Sequence, residues 1–205
     1  MIFLTFWVAV VINFVGYVPV GNINLTAVQI SVNRGLKQAL YFVTTFSVVE
    51  GFFTYVLMRF AEWFAQHKEL LIYLDWILIV VFLTLAVVSL RAANHPKEVE
   101  FKKRDSIRYG VILGVFNPMQ IPYWMIGGTY LISHEWITTK GWGLEIFGVG
   151  AAIGAFLCLY MFAKFATYIQ DRFALSNRII NRTIAVVFFL LAAFHISKIV
   201  YHALS

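Results

Sequence analysis

The chain has 205 residues, 61% of them apolar and only 13% charged, with a mean hydropathy of +0.80. That balance excludes a soluble domain and implies an integral membrane protein. The formal charge of +6 implies no nucleic-acid partner, because the basic residues fall in short connections between apolar segments.

Six apolar segments about 20 residues or longer, the length that crosses roughly 30 Å of hydrocarbon, are predicted as spans. They cover about 2–30, 38–64, 70–92, 107–132, 143–169 and 180–202. The first has no basic leader and no clean cleavage site, so it is expected to be retained.

Span 1 is interrupted by Gly16-Tyr17-Val18-Pro19-Val20-Gly21-Asn22. Pro19 removes a backbone donor and frees a carbonyl one turn earlier, while Gly21 lets the chain bend and a solute approach. Asn13, Asn22, Asn24, Thr26 and Gln29 add polar groups that an apolar helix does not need. Irregular backbone at membrane depth persists where it faces protein or a water-filled cavity. The break therefore reads either as an ordinary kink satisfied by adjacent helices or as part of a solute site.

Span 2 carries Glu50 in Ser47-Val48-Val49-Glu50-Gly51. An ionisable group at that depth costs about 2.5 kcal/mol or more and marks a cavity, a paired partner or a proton relay. Glu50 is the candidate proton-coupling residue; the plainer alternative is a neutral acid hydrogen-bonded to a neighbouring span. Asn94 to Arg104, the long polar stretch after span 3, reads as a solvated basic linker.

Span 4 is interrupted by Gly114-Val115-Phe116-Asn117-Pro118-Met119-Gln120-Ile121-Pro122, followed by Tyr123 and Trp124. The aromatics read as packing or as a stacking surface for a solute. Gly127 and Gly128 in span 4, and Gly148, Gly150 and Gly154 in span 5, predict close helix contacts. Cys158 excludes a disulfide scaffold, a CxxC carrier and a cysteine metal cluster, and reads as a small core residue. In span 6, His195 is either a proton relay or an interfacial hydrogen-bonding group. Trp63, Trp76, Trp136 and Trp142 fit aromatic belts, while Arg59, Glu62 and Lys164 are expected to snorkel to the surfaces.

The second half echoes the first. Tyr160 to Tyr168 matches Tyr55 to Trp63 at a shift of 105, and Asn181 to Phe188 matches Asp75 to Phe82 at 106. Three spans per copy is odd, so the copies enter the membrane from opposite sides as inverted repeats, which build alternating-access carriers with a midplane site where broken helices meet. The expected organisation is a first repeat at 1–93, a basic cytoplasmic linker at 94–106 and a second repeat at 107–205. The repeat sets Glu50 opposite Ala155, so one half carries the coupling group. Connections 1, 3 and 5 hold twelve of the sixteen basic residues, placing them in the cytoplasm and both termini outside.

The candidate solute site is Pro19, Gly21, Asn22, Asn24, Asn117, Pro118, Gln120 and Tyr123, with Glu50 for protons and no catalytic residue. No histidine pair has metal-ligand spacing, and GxGxxG, GxxxxGK[ST] and GxSxG are absent, so no metal, cofactor or nucleotide is implied.

On Pro19-Val20-Gly21-Asn22, the polar run to Asn33-Arg34-Gly35, Asn117-Pro118 and six spans in this length, the chain resembles the lysine exporter (LysE/RhtB) superfamily of small bacterial amino-acid exporters. Members commonly carry P-G-P-N in the first helix and N-P-K in the fourth. Here the second proline of the first motif is missing, and Met119 stands where the lysine would. The resemblance implies export of an amino acid or similar small polar solute across a bacterial inner membrane, driven by proton motive force. The glycine-lined spans leave room for a homodimer contact. Two other readings stay open: a passive channel lined by the same breaks, and an intramembrane enzyme pairing Glu50 with His195.

Overall fold

The computed structural model describes residues 1–19, 21–67, 70–94, 105–117, 119–166, 168 and 177–204. The linker at 95–104, Pro118, and the basic residues Lys68 and Arg172 used in the charge count lie outside the described residues. Eight helices account for nearly all of the described chain, which contains no strand among those residues. They are α1 (Ile2–Tyr17), α2 (Asn22–Arg34), α3 (Leu36–Gln66), α4 (Leu71–Asn94), α5 (Ser106–Val115), α6 (Gln120–Ser133), α7 (Gly143–Lys164) and α8 (Asn177–Leu204).

Both predicted interruptions end a helix. Pro19 cannot continue the α1 ladder, and Val18 N–H folds back to Val15 O at 3.1 Å as α1 closes. α2 restarts from extended Gly21, bent by 77° from α1. The second break falls between α5 and α6, where Asn117 Oδ1 accepts the Met119 N–H at 3.2 Å in a turn just ahead of α6. Gly35, at φ +84°, makes the turn into α3 in a left-handed conformation that suits glycine.

Among the described residues four helices are long and apolar enough to cross a membrane: α3, α7, and the Asp75–Asn94 and Arg182–Tyr201 parts of α4 and α8; α1 and α2 pass the same test only together, as a bent pair that forms either a broken span or a re-entrant loop. The fourth predicted span is occupied by α5 and α6, each too short to cross alone. Large apolar side chains such as Phe3, Val48, Phe52, Val80 and Leu190 are exposed, as a lipid-facing surface requires. Trp63, Trp76, Trp136 and Trp142 are exposed as well.

The chain divides into two compact units, each drawing on both halves of the sequence. The first comprises 1–62 and 99–174; the second comprises 63–98 and 175–205. In the first unit α1 and α2 both pack on α7. One core joins Ala9, Met58, Trp124, Phe147 and Ala151; another joins Ala27, Ile30, Phe42, Phe46 and Leu159. Glycines set the spacing. A Cβ on Gly154 would collide with Val10 O, one on Gly150 would meet Phe6 O at 2.6 Å, and Gly51 and Gly148 pass backbone to backbone. Gly128 sits against Met58, whereas Gly127 faces open space, so only one of that pair makes the expected contact. Cys158 is buried. In the second unit α4 packs on α8 through Leu78, Phe82, Ala86, Ala185, Phe188 and Ala192.

Candidate functional site

In the first unit, Glu50 is buried on the inner face of α3, which also carries Ser47, Gly51 and Thr54 at helical spacing. The second break comes to meet it. Gln120, in the first turn of α6, donates its side-chain amide N–H to Glu50 Oε2, and Asn117 Nδ2 reaches the same oxygen at 3.4 Å. The first break arrives through Tyr17, the last residue of α1, whose hydroxyl accepts at 3.0 Å from Asn117 Nδ2, the same nitrogen that reaches Glu50. The Tyr17 ring packs edge-on against Phe46, one turn before Glu50.

The orientation of the Asn117 amide is dictated by its surroundings: Oδ1 is committed to the Met119 N–H, which leaves Nδ2 to donate toward Tyr17 and Glu50. Glu50 takes part in no ion pair among the described residues. Among the described residues its negative form is held by neutral donors alone. Ser47 Oγ and Thr54 Oγ1, buried a turn to either side, have no hydrogen-bond partner among the described groups.

The remaining residues singled out by sequence take different places. Tyr123 donates its hydroxyl to Ile12 O at 2.9 Å, passing over Gly16, where a Cβ would come within 2.7 Å of that hydroxyl oxygen. Asn24 Nδ2 donates to Tyr17 O at 2.5 Å, satisfying a carbonyl that the break deprives of its helical donor. Pro19, Gly21 and Asn22 form the break itself; Pro19 and Asn22 are exposed. Asn13 is a packing contact, its Nδ2 on Ala151 O at 2.6 Å. Arg59, half-exposed, pairs with Glu62 at 3.3 Å and Glu145 at 2.8 Å, and the Lys164 ammonium lies over the Tyr160 ring.

Tyr17 was not singled out by the sequence, although it stands inside the first interruption motif. Nothing in the spacing says that its hydroxyl reaches Asn117, a hundred residues on. Asp75 was likewise passed over. In the second unit it is buried and binds His195 Nδ1 at 2.8 Å and Lys198 Nζ at 2.9 Å; an acid at the head of an apolar span is the signal that finds it. His195 is thus engaged by Asp75, while the described side-chain hydrogen-bond partners of Glu50 are Gln120 and Asn117.

The model of LysE type translocators matches residues 5–198. The chain belongs to the LysE type translocator family. Membership makes it a transporter of amino acids or similar solutes, embedded in a membrane through several helices. Comparison with curated proteins and with solved structures gives no significant match.

Proposed function

We propose that this LysE-type translocator is a proton-driven antiporter that exports an amino acid or similar small polar solute from the cytoplasm across a bacterial inner membrane by alternating access. The observation that carries the reading is Glu50: a buried carboxyl with no fixed cation among the described residues, held by Asn117 and Gln120 of the second helix interruption, with Tyr17 of the first bonded to Asn117. A proton and the ammonium of a solute compete for it, and that competition couples their opposite movements. Asn117, Gln120 and Tyr123, with the break residues Pro19, Gly21, Asn22, Asn24 and Pro118, are assigned to the solute; the unpartnered Ser47 and Thr54 hydroxyls are further polar groups on the same helix face.

The architecture proposed for this cycle is six spans in two inverted repeats, 1–93 and 107–205, joined by a cytoplasmic linker at 94–106, with both termini outside. Its support is the exchange of partners in the first unit. The first broken leader packs on α7 through Gly150 and Gly154, and the second packs on α3 through Gly110, Gly114 and Gly128. Each leader thus leans on a long helix from the other half.

Reconstitution tests the coupling. Solute uptake into proteoliposomes responds to an imposed pH gradient in the native protein and loses that response in Glu50→Gln, which keeps size and hydrogen bonding. Gradient-driven uptake that survives in a folded Glu50→Gln protein removes Glu50 from the mechanism.

A further inference from the structure

Helical threonines of this chain make a habitual bond. Thr26, Thr45, Thr84 and Thr129 each donate the hydroxyl to the carbonyl four residues back, at 2.6–2.8 Å. Thr54, fully buried on α3, does not, and its Oγ1 has no partner among the described groups. Trp124, fully buried on α6, leaves its indole N–H unpartnered in the same way. A buried donor without an acceptor is costly, and native interiors pair nearly all of them. These two need an acceptor that the described protein groups do not supply.

The packing of α3 on α6 sets the two at one level. Gln120 bonds Glu50, and eight residues further along each helix Gly128 lies against Met58. The two helices therefore run side by side in the same direction. Thr54 and Trp124 each fall at the midpoint between these contacts, one turn beyond Glu50 and Gln120 on the same helix faces. Met58, Phe147 and Ala151 share an apolar core with Trp124, whose ring stands edge-on to Phe147 at 5.2 Å. The indole N–H only donates and the threonine hydroxyl can donate beside it, so the group they suit is an oxygen with free lone pairs. A carboxylate oxygen is such a group, and its charge makes each bond about twice as strong as a neutral one.

We propose that Thr54 and Trp124 form a subsite for the carboxylate of the solute, one turn from the ammonium subsite at Glu50, so that the carried solutes are α-amino acids held at both ends. Four residues of α3, about 6 Å of rise, separate the two subsites along the helix, which suits an ammonium and a carboxylate carried on one carbon. An amine with no carboxylate meets Glu50 alone.

The inference rests on Glu50 as the ammonium site, and binding to the full-length protein in detergent separates the two claims. The probes are the common L-amino acids and the amines left when each loses its carboxylate, read by thermal shift and calorimetric titration. Thr54→Val and Trp124→Phe each weaken amino-acid binding about 10-fold or more, the worth of a hydrogen bond to a charged group. Thr54→Ser, which keeps the hydroxyl, restores it, and binding of the amine is unmoved by all three. Without solute, Thr54→Val melts no lower than the native protein, because it removes a hydroxyl that no described group satisfies; a structural hydroxyl gives the opposite. Amino-acid binding unchanged in Thr54→Val, or weakened equally for the amine, overturns the subsite, leaves a buried water as the acceptor, and spares Glu50 as long as Glu50→Gln still weakens both probes. Binding that survives Glu50→Gln at native strength, or no binding of any amino acid, overturns both claims. If Trp124→Phe does not fold, Thr54→Val and Thr54→Ser decide the matter alone.

Discussion

The close approach of α1 and α7 gives a prediction whose size follows from coordinates. A Cβ on Gly154 collides with Val10 O and lies 2.9 Å from Phe14 N and 3.2 Å from Asn13 Cβ. The first two are backbone atoms and cannot swing aside. Reaching ordinary contact at 3.4 Å requires α1 and α7 to part locally by about 0.5 Å at Phe14 N and by more at Val10 O, which also stretches the 2.6 Å bond from Asn13 to Ala151 O. Overpacking of this kind costs about 1–3 kcal/mol, a melting temperature lower by roughly 2–12 °C for a chain of this size. The contact lies one turn before Tyr17, so Gly154→Ala also draws the Tyr17 hydroxyl away from Asn117 and lowers transport without touching a polar side chain. Gly127→Ala is the control, because its Cβ meets nothing within 4 Å and helix propensity alone makes it neutral or mildly stabilising. Thermal unfolding in detergent, followed by transport in proteoliposomes, reads both effects. A Gly154→Ala protein as stable and as active as Gly127→Ala would refute the packing described for α1 and α7.

Two further predictions follow. Asp75→Ala leaves buried His195 without its carboxylate partner and lowers stability by about 1–3 kcal/mol; Lys198, whose side chain is 40% exposed, adds less than about 1 kcal/mol of that, so Lys198→Met melts close to the native protein in the same thermal assay. Asn24→Ala strips the Tyr17 carbonyl of its side-chain donor and costs about 1–2 kcal/mol, while Asn24→Asp, which cannot donate when ionised, is no better; a melting temperature unchanged in both variants would show that the carbonyl does not depend on Asn24.

What the sequence made legible was whatever the bilayer enforces locally. A proline past the first turn of a helix removes a ladder donor, so α1 and α5 end at residues a reader can name, whereas Pro122 falls in the first turn of α6 and leaves it intact; the helix bounds 36–66, 71–94 and 177–204 lie within a few residues of the expected spans. The glycines of α7 announced a tight contact without saying with what; Phe6 and Val10 of α1 supply the answer for two of them, and Gly51 and Tyr55 of α3 for the third. Long-range polar pairing was not legible. Asp75 and His195 are 120 residues apart, and Tyr17 and Asn117 a hundred; no periodicity links them, because each pair is set by how helices cross. Asn13, grouped with the break residues on polarity alone, serves packing, since a polar side chain in an apolar helix satisfies a neighbour's carbonyl as readily as a solute.

Under the proposed cycle, Met119 bears on the charge state of Glu50. The related motif carries lysine at this position, where it would follow Asn117 by two residues and precede Gln120 by one. A lysine there would place a fixed ammonium on the same stretch of backbone that delivers two amides to Glu50, and a permanent partner would leave the carboxylate little need for a transient one. Methionine supplies no charge, and the described groups that reach Glu50 are neutral. Neutral donors can support a buried carboxylate but cannot cancel its charge, and leaving that charge unpaired in a low-dielectric interior costs several kcal/mol. The cost is relieved only while a proton or a cationic group is bound, so under the proposed cycle the empty, ionised site is the least stable state. A carrier whose empty state is disfavoured crosses the membrane occupied, by proton in one direction and by solute in the other. That is the requirement for obligatory exchange rather than leak, and under the proposed cycle it is met by a Glu50 that has no fixed cation among the described residues.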